Sequence, residues 1–271
     1  MGISREEIEK QKRERLGKEN YNINGTLMKI IEYESAVSIW VEFQDEYKAK
    51  VHTTWQRFKN GGVKNPYYID VFGVGYLGQG EYKSRDKEGE KTSAYKCWQR
   101  LLERCYDPYT LNKRQTYINC YVCEEWLCFQ NFAEWYYENY YECNDERMCL
   151  DKDILYKNNK IYSPSNCIFV PQRINNLFTK SDKTRGNYPI GVSYRKSENI
   201  FEVACRIFDE KKHKYKREYL GRFPLNRPFQ AFTVYKNFKE NYIKQVADEY
   251  KDLIPQRLYE ALYKYEVEIN D

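Results

Sequence analysis

Leu150-Asp-Lys-Asp-Ile-Leu-Tyr-Lys-Asn-Asn-Lys-Ile-Tyr-Ser-Pro-Ser-Asn-Cys-Ile-Phe-Val-Pro-Gln-Arg-Ile-Asn-Asn176 is the stretch on which the fold turns. With its flanks, 148–178 reads as strand, loop, strand and short helix. The first strand covers the run Cys149–Leu155, Asn158-Asn159 makes a turn, and Asn166–Val170 forms the second strand. Pro171 has no N–H to lose at a helix start, so it opens the helix.

Upstream, the apolar period is helical. Tyr95, Trp98, Leu101, Leu102 and Cys105 fall on one face, with Pro108 as the stop, and Trp126, Phe129, Phe132, Trp135 and Tyr136 mark a second amphipathic helix. Further towards the N-terminus come β-rich runs at 27–31, 38–43 and 49–53, closed by Asn60-Gly61-Gly62. Downstream, strands are expected around 190–194, 201–207 and 219–223, then a long helix from about Arg227 to Glu249. The organisation expected is a charged helical arm (1–18), a small β module (19–78), a linker (79–92), a middle domain (93–178), a C-terminal domain (187–249) and a helical tail (250–271). The class is α+β: a small N-terminal β module, a strand–strand–helix middle, and a three-stranded sheet plus helix at the C-terminus.

Composition narrows the function. The 271 residues are 41% apolar and 17% aromatic, with 28 Tyr, and that many rings exclude wholesale disorder. No run approaches the ~20 apolar residues that cross a bilayer, and none follows the first Met, so no membrane partner and no classical export are expected. Nine Cys without a secretory pattern read as reduced thiols in a cytoplasm. The net charge of +5 is uneven: ten acids against four bases between Asp107 and Asp153, twelve bases against six acids between Lys180 and Arg222. Nucleic acid, if bound, belongs to the basic segment, and the acidic middle to another protein or a second copy. Six rings among the acids, at Trp126, Trp135, Tyr136, Tyr137, Tyr140 and Tyr141, fit an interface or simply a core.

Three local motifs weigh little. Gly73-Val-Gly-Tyr-Leu-Gly78 matches a dinucleotide fingerprint in letters only, because Gln79-Gly80 and a charged linker follow it where a helix should begin. Cys120-x-x-Cys123 is half of a zinc site, and without a second pair structural zinc is not expected. His52 and His213, the two histidines, sit in a strand and in a lysine-rich run, neither a place for a triad base.

The 150–176 stretch resembles the degenerate HNH (ββα-metal) nucleases common in bacteriophages. The resemblance rests on Leu150-Asp151-Lys152, Lys160-Ile161-Tyr162, Pro164-Ser165-Asn166-Cys167-Ile168-Phe169 and Asn175-Asn176. Upstream, Trp98, Arg104, Cys105 and Tyr106 with Val122-Cys123-Glu124-Glu125-Trp126 extend it over 93–178. It implies that Asp151 with Asn175 or Asn176 holds one divalent cation (Mg or Mn), while Asn166 holds the loop. It also places Lys152 where a His should deprotonate water, with Asp153 as a weak substitute. An ammonium takes no proton near neutral pH, so a scaffold with lost or weak cleavage is expected.

A second resemblance, to the Apetala (ethylene-responsive-factor) DNA-binding domain, rests on Tyr188-Pro189-Ile190-Gly191-Val192, Tyr219-Leu220-Gly221-Arg222-Phe223 and Phe229-Gln230-Ala231-Phe232 with Tyr235. It implies a sheet laid in the major groove of double-stranded DNA. The matching positions are Tyr194, Arg195, Arg206 and Arg217, with Lys211, Lys212, Lys214 and Lys216 on a hairpin. Together the two resemblances lead us to expect a phage-type DNA-binding protein in a bacterial cytoplasm, derived from a homing endonuclease. Its alternatives are an active metal-dependent endonuclease and a phage-encoded inhibitor of a host defence protein.

Overall fold

The computed structural model of the chain describes residues 4–179, 188–269 and 271. Asn187, the first residue of the expected C-terminal domain, lies outside them, as do the first three residues of the arm and Asn270. The described chain is a mixture of helices and several separate sheets, an α+β protein, in two compact units: 1–139 with 160–164, and 140–159 with 165–271. Among the described residues no helix is long and apolar enough to cross a membrane.

In the first unit, helix α1 (Arg5–Arg15) starts at Ser4, whose hydroxyl accepts the Glu7 N–H, and it buries no residue. A polar chain ties it down instead: Arg15 donates to the Tyr33 hydroxyl (2.7 Å), which donates to Gln11 (2.8 Å), and the guanidinium lies 4.5 Å from the Trp55 ring centre. Four antiparallel strands follow in meander order: β1 (Glu19–Tyr21), β2 (Leu27–Ser35), β3 (Ser38–Phe43) and β4 (Lys50–Thr53). Strict alternation buries Ile39, Val41 and Phe43 on β3 against Met28 and Ile30 of β2. The short helix α2 (Trp55–Lys59) closes that core with Phe58.

Residues 79–92 hold no helix or strand. Beyond them, α3 (Ser93–Tyr106) is capped by Thr92 and buries Trp98, Leu101, Leu102 and Cys105, the face its sequence period selects. Pro108 ends that helix and also begins another. Asp107 caps α4 (Pro108–Lys113) through the Thr110 N–H, so the proline sits at a first turn, where a missing N–H costs nothing. Two-residue β5 (Tyr121–Val122) precedes α5 (Phe129–Asn139), whose Phe132 and Trp135 pack on Trp126. Gly75 explains the glycine run: an added Cβ would lie 2.9 Å from Trp98 and closer still to Leu102. The motif admits a backbone against α3.

The second unit opens with β6 (Met148–Asp151), and its strand partner is β8 (Ile168–Pro171), antiparallel, leading into α6 (Gln172–Leu177). The segment between holds β7 (Ile161–Tyr162), which belongs to the first unit by pairing in parallel with β5. The first strand is shorter than the sequence suggests because Asp151 bends it: its Oδ1 accepts the N–H of Asp153 and of Ile154, both at 2.8 Å. Strands β9 (Val192–Arg195), β10 (Ile200–Asp209) and β11 (Lys214–Pro224) form a second antiparallel sheet with β10 central. Helix α7 (Pro228–Glu249) packs behind it, and α8 (Gln256–Tyr263) follows.

The sheet meets α7 most tightly at Gly191, whose φ is +77° and whose missing Cβ leaves room for the Tyr235 ring. A side chain there would be strained in backbone and in packing together, costs of ~1–2 and ~1–3 kcal/mol. Gly191→Ala is expected to lower unfolding free energy by more than about 2 kcal/mol in urea denaturation. A loss under about 0.5 kcal/mol would show that the ring moves aside freely.

Candidate nucleic-acid interface

In the 150–176 segment Lys152 is buried, and its ammonium donates to both carboxylate oxygens of Asp153 at 2.7 Å and to the Asn159 carbonyl at 2.6 Å. Asn159 returns a bond from its amide to the Lys152 carbonyl (2.9 Å), and its Oδ1 accepts from Asn166 (3.3 Å). These residues form one satisfied polar network. Lys152 therefore holds the loop together, and the carboxylate that would replace it as base is its counter-ion.

The two expected metal ligands Asp151 and Asn176 are also engaged. Asp151 spends an oxygen on its turn, and burial pushes its carboxyl pKa up against the pull of those two N–H groups. Asn176 accepts from Gln172 (3.0 Å) and donates to the Tyr215 hydroxyl (2.8 Å). Asn175 is half-buried on α6, without a side-chain hydrogen bond among the described residues. No group of three His, Cys, Asp or Glu side chains converges for an ion among the described residues. A carboxylate already spending an oxygen on its own turn and an amide already paired do not fit a divalent cation.

Cys120 and Cys123 flank a turn in the first unit. Cys120 is buried with its thiol towards the Thr116 carbonyl, and burial raises the Cys123 pKa. Of the six rings in the acidic middle, Trp126, Trp135 and Tyr136 are core, whereas Tyr137 and Tyr140 are exposed.

The C-terminal sheet brings together more. Strand register puts Arg206 opposite Arg217, Ser193 opposite Glu202 and Arg222 opposite Glu202, so these share the face turned away from α7. Arg195, two residues from Ser193, joins them. At the centre is Glu202, which the sequence did not single out: only 5% exposed, it lies between two guanidiniums. Arg195 donates Nε and Nη2 to its Oε2 (2.9 and 2.8 Å), and Arg217 donates Nη2 to its Oε1 (2.8 Å) and to the Ser193 hydroxyl (3.2 Å). Arg222 pairs with Glu198 at 2.6 Å, and Tyr219 stands exposed beside it. Arg206 lies flat on Tyr215, 4.1 Å from the ring centre. Comparison with known protein families, with curated proteins and with solved structures gives no match for this chain.

The remaining nominated residues lie elsewhere. Tyr194 pairs with Phe201 and Lys216 with Ile207, and both therefore lie on the opposite face, as does Lys214 opposite Asp209. Lys211 and Lys212 occupy the exposed turn between β10 and β11, capped by Asp209. The alternation of β-strands that separates them was available in the sequence; the bulge between Val203 and Ala204, which adds a residue to β11, was not.

The turn at Asp151 yields a measurable pH effect. A carboxyl whose pKa is raised by folding opposes stability once ionised, so the penalty is absent below about pH 4 and grows as pH rises through the folded value. Asp151→Asn keeps the acceptor and removes the charge. Its melting temperature relative to wild type is expected to be higher at pH 7 than at pH 4. Equal offsets at both would show that this carboxyl does not titrate abnormally.

Proposed function

We propose that this chain binds double-stranded DNA through the arginine face of the β9–β11 sheet and does not cut it efficiently. The observation that carries the reading is the Glu202 clamp. Flexible arginines lose rotamer freedom on binding, and a buried carboxylate that holds two of them has already taken that cost. Their remaining N–H groups, with Arg206, Arg222 and Tyr219, stand on one exposed face that α7 does not cover. A narrow antiparallel sheet matches the width of the major groove, about 12 Å, and guanidiniums serve both phosphates and guanine edges. The resemblance to the Apetala type points to the same face.

The HNH-like part acts in this reading as scaffold. Lys152 is tied to Asp153 and Asn159, and a missing general base forfeits ~10²–10⁴-fold in rate. Supercoiled plasmid with Mg²⁺ or Mn²⁺ is accordingly expected to stay intact while the protein shifts it in a gel. Catalytic cleavage that Asp151→Ala abolishes would replace the reading with an endonuclease.

Duplex affinity measured by anisotropy over a salt series tests the face itself. Replacing Arg217 or Arg222 by Ala should weaken binding and lower the slope of log K against log salt by roughly one unit for each phosphate left without its arginine. Lys214→Ala, on the other face, should change neither. If all three behave as wild type, the sheet is not the interface.

The acidic segment should stay clear of phosphates, since like charges brought near each other cost Coulomb energy. Glu134, Glu138 and Glu142 are exposed. Their joint replacement by Lys should leave duplex affinity unchanged or slightly higher, and a clear loss in the folded variant would put DNA on that surface.

A further inference from the structure

The inward stripe of α7 runs Ala231, Tyr235, Lys239, Ile243, Val246 and Ala247, at the spacing of a buried helical face. Lys239 breaks it. The residue is only 8% exposed, yet its ammonium has no salt bridge and no hydrogen bond with any described residue. The Tyr242 ring centre is 6.0 Å away, and the Cys205 thiol is another neighbour among the described residues. A buried cation without a counter-charge is costly, and here burial drives its pKa below the ordinary lysine range.

Lys239 lines a cavity of about 560 Å³ within the second unit, inside the roughly 300–1,000 Å³ usual for small-molecule sites. The cavity exists because β9 is short. Its last pair is Val192 with Val203, the Ala204 N–H goes to the Gly191 carbonyl, and β10 continues alone along that edge until Phe208 donates to the Tyr242 hydroxyl. Backbone alternation turns the Arg206 N–H to the same open edge. Arg206 and Arg217 of the arginine face and Lys216 of the opposite face also line the cavity. The lining acid among the described residues, Asp271, is already held by Lys157 (2.7 Å) and the Glu268 N–H (2.9 Å). Phe178 and Tyr265, with ring centres 4.7 Å apart, supply aromatic wall.

We infer that this cavity binds a nucleotide, its phosphate against Lys239 and its base against Phe178 and Tyr265. The phosphate supplies the counter-charge that no described residue gives Lys239, and the rings match a planar heterocycle. A free mononucleotide and the 5′-phosphorylated end of a strand offer the same chemistry. The site extends beyond the arginine face: the two share Ser193, Arg206 and Arg217, whereas Lys239 and Tyr265 lie outside that face and Arg195 and Arg222 do not line the cavity.

Calorimetric titration of the full chain with adenosine 5′-monophosphate, adenosine and inorganic phosphate tests this. The monophosphate should bind, adenosine at least tenfold more weakly, and Lys239→Met should weaken the monophosphate at least tenfold. Lys239→Met should also melt at a higher temperature than wild type, because it removes a buried charge that no described residue pairs, without opening a cavity. A 5′-phosphorylated oligonucleotide that displaces the monophosphate from wild type, where its 5′-hydroxyl counterpart does not, assigns the strand end as the source; no displacement assigns the free nucleotide. The Arg195→Ala/Arg222→Ala variant should keep wild-type affinity for the monophosphate, which separates failure of this site from failure of the DNA face. Absence of monophosphate binding, equal binding by Lys239→Met, or a lower melting temperature for that variant would each overturn the inference.

Discussion

Helix α7 is the constraint on which the second unit depends. One rod of 22 residues, about 33 Å long, serves two cores in succession. Ala231 and Tyr235 pack under Val192, Phe201, Val203 and Cys205 of the sheet, while Ile243, Val246 and Ala247 pack under Ile168, Val170 and Ile174 of the β6–β8–α6 segment. Arg173 on α6 fastens the arrangement by ion pairs to Glu249 and, at 3.3 Å, to Glu210 in the turn after β10. The arginine face therefore has a fixed orientation relative to the β6–β8–α6 segment, and its strands cannot rotate without disturbing a helix held at both ends.

Two buried lysines show how differently one residue type can be accommodated. Lys152 sits in a loop whose carbonyl and carboxylate converge on it, so the charge is neutralised locally and the residue acts as mortar. Lys239 sits on a helix, where the backbone has no free acceptors to offer, against a sheet face of Val203 and Cys205. The same ammonium is structural in the first setting and an unmet demand in the second. Burial alone distinguishes neither, and the position of neighbouring oxygens decides.

Period and punctuation made most elements legible. The face of α3, strands β2 to β4 of the N-terminal sheet, the cap at Pro171 and the span of α7 all follow from apolar spacing and from where proline and glycine fall. What was not legible depended on neighbours distant in sequence or on the direction of backbone groups. β7 is two residues long and exists because β5, some forty residues earlier, offers it an edge. Asp151 reads as a ligand in isolation, and the turn it forms is visible only once the N–H groups of Asp153 and Ile154 point at it. Arg195, Arg206 and Arg217 came with the resemblance to the Apetala type, but Glu202, which orients two of them, looked like an ordinary strand acid because its partners sit on neighbouring strands. Lys239 was present as an interruption in the 231–247 stripe, a signal that charge counting passes over.

The excursion of 160–164 into the first unit also bears on how the chain is made. Tyr162 is buried there, 2% exposed, beside the partly buried Arg104, and β7 completes the edge that Val122 and Tyr121 leave open. A ribosome that has released residues up to Asn139 has therefore not released a finished first unit. For the time it takes to add some twenty-five more residues, on the order of seconds at ~5–20 residues per second, that edge stays unpaired. Folding of the N-terminal part and synthesis of the first strand of the C-terminal part are thereby coupled in time, and a cut after Asn139 would separate a unit from one of its own strands.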